Sequence, residues 1–174
     1  MKKLEDYVVS IKDFPKPGII FRDITGVVGD PEGFRLSVRT MEDLIGDTDY
    51  DLVAGLEARG FIFGAPIAAD MGKGFVPVRK KGKLPRETVS ESYALEYGTA
   101  QIEMHKDAVK PGQKVIIVDD LIATGGSAEA AVKLVEKLGG KVVKLVFLIE
   151  LAGLNGRERL KNYDVESAIV YEGK

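Results

Sequence analysis

Apolar residues run through this chain in two rhythms. In "DPEGFRLSVRTMEDLIG", Phe34, Val38, Met41 and Ile45 return at helical spacing. Asp30 suits the N-cap, Pro31 the first helical position, where its missing N–H costs nothing, and Gly46 the stop. The second rhythm is unbroken: "KVIIVDD" and "KVVKLVFLIEL" carry consecutive apolar residues, the pattern of strands buried on both faces. Two strand–helix–strand units result. The first joins Leu52–Ala54, bounded by Gly55, to a helix-length segment from Phe61 to Met71 and the short β-prone run Phe75–Val78. The second joins "KVIIVDD" to a helix near Ser127 to Leu138, with Ala131, Leu134, Val135 and Leu138 on one face. Gly139 and Gly140 stop that helix before "KVVKLVFLIEL". This order predicts an α/β domain with a mainly parallel sheet flanked by helices.

Between the units lies a different texture, "KKGKLPRETVSESYALEYGTAQIEMHKDAVKPG". It is polar, broken early by Gly82 and Pro85, and alternates only after Tyr93. A long polar loop inside a compact domain reads as a lid or a disordered tip.

The chain's 174 residues suffice for one well-buried domain and are too few for two comfortable ones. Charge is mixed, the net value is -2, and no Lys/Arg block stands out, so neither nucleic acid nor a membrane is an expected partner. With no cysteine, disulfides, thiolate metal sites and a cysteine nucleophile are excluded. A single histidine, His105, removes a His-rich metal cluster and weakens a Ser-His triad reading. It follows Ala100, Ile102 and Met104 on the opposite face, a surface position. The opening "MKKLEDYVVSIKDF" lacks the apolar core of a signal peptide, and no apolar run reaches transmembrane length, so a cytoplasmic location is expected.

The chemistry concentrates in "VIIVDDLIATGGSAEA". An apolar strand delivers Asp119 and Asp120 to the sheet edge where open α/β sheets bind ligands. Ala123, Thr124, Gly125, Gly126 and Ser127 then open a helix. The glycines let backbone approach an anion, Thr124 and Ser127 add hydroxyls, and the helix N-terminus adds unpaired N–H groups. Carboxylates beside a phosphate loop conflict unless one ligand spans both, as a ribose 5-phosphate does: hydroxyls for Asp119 and Asp120, phosphate for the loop. A Walker-type site would need an upstream G-x-x-x-x-G-K-[ST], which "ADMGKGF" does not supply, and "ATGGSA" is not the G-x-G-x-x-G of a dinucleotide site. A reading in which Asp120 and Ser127 only cap and turn stays open, though it leaves the pairing of acids with a glycine loop unexplained.

"VIIVDDLIATGGS" resembles the 5-phosphoribosyl-1-pyrophosphate (PRPP) signature of the type I phosphoribosyltransferases, with Ser127 where many relatives carry Thr. "DFPKPGIIFRDIT", "GLEARGFIFGAPIA", "VRKKGKLP", "YALEYGTAQIEMHKDA" and "LIELAGLNGRERL" resemble the adenine-specific members nearly end to end, the lid interior "RETVSES" excepted. The resemblance implies the type I fold as a single domain over residues 1–174, with an N-terminal hood at 1–30 for the base and a flexible lid loop at 80–98. It implies transfer of 5-phosphoribosyl from PRPP to adenine, giving AMP and pyrophosphate in purine salvage, by a homodimer.

Site roles follow from the same resemblance. Arg59, in the turn of "LEARGF", belongs to the pyrophosphate loop; independently of the resemblance, the basic run "RKKGKLPR" beside the lid offers Arg79 and Lys83 as further pyrophosphate contacts. Glu96 of "ALEYG" is the catalytic proton acceptor. Ile20 and Arg22 offer backbone groups to adenine, Phe21 stacks on its ring and Leu151 closes the other face. Mg²⁺ arrives on PRPP oxygens, with no dedicated protein cage. Two other readings remain: a transferase for hypoxanthine, guanine, xanthine or orotate, and a non-catalytic PRPP or purine sensor. Orotate would require a cation for its carboxylate. A regulator would usually add a DNA-binding helix pair and a basic face.

Overall fold

The computed structural model describes residues 2–173, so Met1 and Lys174, the ends of the expected single-domain span, lie outside the described residues. The chain opens with β1 (Val9–Lys12) and β2 (Ile20–Asp23), followed by α1 (Thr25–Gly29) and α2 (Pro31–Ile45). Then come β3 (Leu52–Leu56), α3 (Arg59–Asp70), β4 (Gly74–Lys80), β5 (Thr88–Ala94) and β6 (Thr99–His105). The last elements are β7 (Lys114–Ile122), α4 (Gly126–Lys137), β8 (Lys141–Leu151) and β9 (Val165–Tyr171). The main sheet has seven strands in the order β5-β6-β4-β3-β7-β8-β9. Strands β4, β3, β7, β8 and β9 are parallel, and the β5–β6 hairpin joins antiparallel at the β4 edge. β1 and β2 form a separate antiparallel ribbon.

The two apolar rhythms account for the layers. Alternate residues of β7 face opposite cores. Val115 and Ile117 pack with Leu145, Phe147 and the Ala131, Leu134 and Val135 stripe of α4. Ile116 and Val118 pack with Val146, Leu148 and the Met41, Ile45, Phe63 and Ile67 faces of α2 and α3. A strand covered on both sides has no position for a polar residue until it leaves the layers, so the acids of "VIIVDD" fall at its end. Helix α2 starts where its caps require: the Asp30 side chain accepts from the N–H groups of Glu32 and Gly33 at 2.9 Å each, and Gly46 ends the helix with φ +56°.

Two features differ from the sequence reading. The polar stretch, expected to be a loop, carries strand β5 over Thr88–Ala94, held by full pairing with β6 and fastened along α4 by Lys137. The Lys137 ammonium donates to Ser90 O at 2.9 Å and pairs with Glu91 at 2.7 Å. A polar strand survives there because its hydrogen bonds come from the neighbouring strand and its charges from the helix behind. His105 ends β6 half-buried, beside the Arg86 guanidinium at 3.2 Å from Nδ1.

Beyond β8 the chain turns back over the sheet edge under one ionic clamp. The Arg157 guanidinium donates to both Glu150 carboxylate oxygens at 2.8 to 3.0 Å and to Val165 O at 2.6 Å. Glu150 is 6% exposed, so removing its partner strands a buried charge. That guanidinium holds the Glu150 carboxyl below its ordinary range. The clamp is therefore complete above the unfolded carboxylate range and is lost as pH falls through the lowered native value. Replacing Arg157 with Ala should cost about 2–3 kcal/mol at pH 7, a fall in Tm of roughly 5–10 °C. Thermal unfolding followed from pH 7 to pH 3 should show the gap between variant and parent shrinking on the acid side.

Candidate active site

One cleft of about 1170 Å³ crosses the carboxyl ends of β3 and β7 and gathers residues from distant parts of the chain. Its floor is the end of β7. Asp120 is buried and its Oδ2 lies 2.8 Å from Arg59 Nε, whose side chain is half exposed. Asp119 Oδ1 accepts the Asp120 backbone N–H at 2.8 Å. Arg59 reaches this floor because α3 begins directly against it. A Cβ on Gly60 would stand 2.9 Å from both Asp119 Oδ1 and Val118 O, so a larger residue would push the helix start away.

One guanidinium thus faces two carboxylates. Burial, and then the neighbouring Asp120 charge, push the Asp119 carboxyl well above its ordinary value of 3.8. Tyr93 on β5 lines the same cleft, and its phenol is pushed up by burial and by Asp119.

Ala123, Thr124, Gly125, Gly126 and Ser127 all line the cleft beside the acids. Gly125 turns the chain with φ +80° as the N-cap of α4. Its space is also taken: a Cβ there would lie 2.6 Å from Gly156 O, and a Cβ on Gly156 would lie 2.4 Å from Ala123 O. The segment after β8, held by the Glu150–Arg157 clamp, is therefore seated on this loop and fixes its shape from outside.

The turn after β3 is organised by Glu57. Its carboxylate takes two bonds from Arg79, at 3.1 and 3.2 Å, and one from the Lys80 N–H at 3.1 Å. Arg79 also donates to Lys83 O at 3.1 Å. Of the basic run, Lys80 lines the cleft, whereas Arg79 is engaged by Glu57 and Lys83 is exposed off the lining. Glu103 of β6 holds the segment after β4, accepting from the Gly82 N–H at 3.1 Å.

At the other wall stand Ile19 and Ile20 at the start of β2, Leu95 and Glu96 of the β5–β6 turn, Leu151 at the end of β8 and Leu154 just after it. Glu96 is exposed at the rim. Phe21 and Arg22 do not line the cleft. The Phe21 ring meets Phe14 edge-on at 5.3 Å, and the Arg22 guanidinium lies 3.7 Å from the Tyr171 ring centroid. The ribbon has two strands, so β2 has one edge without a strand partner. The structure thus gathers Asp119, Asp120, the 123–127 loop, Arg59, Glu96, Ile20 and Leu151 at one cleft. It adds Glu57, Lys80, Tyr93, Leu154 and Arg159, which sequence reasoning missed. Lys80 stands in the basic run, and Leu154 and Arg159 stand inside "LIELAGLNGRERL", where spacing alone marks neither for the cleft.

Chemically, the floor offers acceptors for hydroxyl donors, the glycine loop offers N–H groups to a phosphate, and Arg59 and Lys80 offer positive charge between them. The apolar wall suits a flat ring. Among the described residues no three His, Cys, Asp or Glu side chains converge on a point.

The family model described as phosphoribosyl transferase domain matches residues 30–172. An adenine phosphoribosyltransferase of Lachnoclostridium phytofermentans is 63% identical over 174 residues, covering 100% of both chains. The solved adenine phosphoribosyltransferase of Thermoanaerobacter pseudethanolicus is 52% identical with a TM-score of 0.93, over 97% of this chain and 100% of that one. That of Saccharomyces cerevisiae, solved with an imino-altritol bisphosphate and adenine, is 42% identical with a TM-score of 0.87, over 93% and 94%.

The raised carboxyl of Asp119 has a stability consequence. The folded state keeps this proton to higher pH than the unfolded chain, so stability falls as pH rises above 3.8 through the native value. Asp119→Asn removes that cost. The ligand-free variant should melt above the parent at pH 7, and the gap should close as pH falls toward 4. Calorimetric melts across that range check the sign.

Proposed function

The chain belongs to the phosphoribosyl transferase family, and from that membership we propose that it converts adenine and PRPP to AMP and pyrophosphate. The single observation that carries the donor half is the junction of Asp119 and Asp120 with the 123–127 loop in one cleft. The acceptor half rests on the identity to adenine-using relatives and on the apolar wall of Ile19, Ile20, Leu151 and Leu154.

In this reading the bond from ribose C1 to the pyrophosphate oxygen breaks as an imidazole-ring nitrogen of adenine bonds to C1. The nitrogen's proton passes to Glu96, and pyrophosphate leaves with the bonding electron pair. Positive charge builds on the ribose ring, so alignment, water exclusion and support of the leaving anion supply the rate. Asp119 and Asp120 accept from the ribose 2- and 3-hydroxyls, and the loop N–H groups with Thr124 and Ser127 hold the 5-phosphate. Arg59 and Lys80 meet the pyrophosphate; Glu57 holds that turn through Arg79 and the Lys80 N–H. A buried carboxylate floor with oxygen donors only fits a hard cation. Mg²⁺ would be held chiefly by PRPP oxygens, with Asp119 and Asp120 reaching it through water, and supplies charge neutralisation to the leaving group. Backbone groups at the start of β2, where Ile20 lines the cleft, read the adenine edge, and a 6-oxo purine would set an acceptor where the amine belongs.

Residues 1–30 serve as the base hood and residues 80–98, including the β5–β6 turn, as the lid over the cleft. Lys16 Nζ lies 5.1 Å from the Tyr97 ring centroid, so hood and turn already touch. A homodimer in the cytoplasm completes the reading, supported by the family resemblance. No helix among the described residues is long and apolar enough to cross a membrane.

Purified protein with PRPP, Mg²⁺ and a panel of bases should form AMP from adenine faster than any nucleotide from hypoxanthine, guanine or xanthine. Faster turnover of hypoxanthine would overturn the acceptor. Glu96→Gln should lower kcat by about 100-fold or more with PRPP affinity nearly unchanged. Joint replacement of Asp119 and Asp120 by Asn should raise the KM for PRPP far more than that for adenine. Chelation of Mg²⁺ should abolish turnover.

A further inference from the structure

The two ends of the cleft obtain positive charge differently. Around the turn after β3, Arg59 and Lys80 supply it. Around Ala123–Ala128 the lining consists of backbone, the Thr124 and Ser127 hydroxyls, and one cationic side chain among the described residues, Arg159.

The position of Arg159 is set by its neighbours. Gly156 is wedged against Ala123 and Gly125, Arg157 is clamped to Glu150, and Leu160 is 1% exposed. Residue 159 lies between these anchors and stays beside the glycine loop. A second, polar cavity of about 210 Å³ opens behind the loop, between β5 and α4, and Arg159 is part of the wall of both. Lys133 lines this second cavity as well.

One carboxylate serves both cations. Glu129 Oε2 lies 3.3 Å from Arg159 Nη1, and Glu129 Oε1 lies 3.3 Å from Lys133 Nζ. Both separations are long for charge-assisted bonds, and both cations are about half exposed. The trio of Glu129, Lys133 and Arg159 is net positive next to the N-terminus of α4, where an anion is already favoured.

Building on the phosphoribosyl-transfer reading, we infer that Arg159 is an additional ligand of the PRPP 5-phosphate, with Glu129 as the counter-ion that holds it in this structure. A phosphate at the loop presents a doubly charged, multi-oxygen acceptor in place of a shared carboxylate, and a guanidinium meets it with two parallel donors. Arg159 turns from Glu129 to the phosphate by side-chain rotation, and Lys133 keeps Glu129 neutralised. The loop amides select the phosphate; Arg159 adds charge to its grip.

Ribose 5-phosphate is the direct probe, titrated by calorimetry into the full-length protein beside KM values for PRPP and adenine. Arg159→Gln should weaken ribose 5-phosphate and raise the PRPP KM about tenfold, with the adenine KM and Tm close to the parent. Arg159→Lys should recover part of the loss. Glu129→Gln, which frees both cations, should tighten ribose 5-phosphate about twofold to threefold. Parent-like ribose 5-phosphate affinity in Arg159→Gln overturns the inference. So does a parallel loss of ribose 5-phosphate and adenine, which would make Arg159 a packing residue, and so does weaker binding in Glu129→Gln. A parent protein that binds ribose 5-phosphate yet makes no AMP would remove the transfer reading and leave the Arg159 titrations to be judged alone.

Discussion

Two adjacent carboxylates stand at the end of a strand buried on both faces, and a single guanidinium balances them. Asp119 and Asp120 cannot both turn to water, because β7 is covered by α3 on one side and α4 on the other. Arg59 satisfies Asp120, and Asp119 is left with the Asp120 N–H and a raised carboxyl. The resulting electrostatic cost is what a ligand with hydroxyl donors and positive charge relieves. Stability and complementarity to the ligand oppose each other here, as they commonly do at binding sites.

The surrounding structure holds that floor in place and adds what it lacks. Gly60 brings α3 close enough for Arg59 to cross to Asp120, and Glu57 in the same turn ties down the basic segment that presents Lys80. On the far side, Arg157 and Glu150 press the segment after β8 onto the glycine loop, where Gly156 and Gly125 leave no room for side chains. Helix α4 connects the two rims of the cleft: its N-terminus opens from the glycine loop, and Lys137 at its other end holds the hairpin that carries Glu96. Apart from the Glu150–Arg157 pair, which spans seven residues, these contacts join segments remote in the chain.

What was legible locally were the features encoded by short spacings. The cap of α2, the doubly buried strands, the acids at the end of β7 and the turn at Gly125 each follow from residues within a few positions of one another. The hairpin of β5 and β6 was less legible, since a polar strand such as Thr88–Ala94 draws its order from pairing partners beyond its own composition. Arg79 and Lys80 show the same limit. Neighbours on a strand point to opposite faces, and only the register of Arg79 against Glu103 and Lys80 against Ile102 decides which one meets the cleft. In the ribbon tertiary contacts choose: Ile20 lines the cleft, while the Phe21 ring meets Phe14 and the Arg22 guanidinium is drawn to Tyr171.

The sequence by itself therefore determined the layered α/β architecture and the place of the acids and the glycine loop, because hydrophobic period and glycine placement act within single elements. Tertiary structure alone decided which basic-run residue faces the cleft, that Arg59 pairs with Asp120, and that Arg159 stands beside the glycine loop. Those outcomes depend on strand register and on contacts across tens of residues, where packing and the balance of buried charge choose among side chains that look equivalent along the chain.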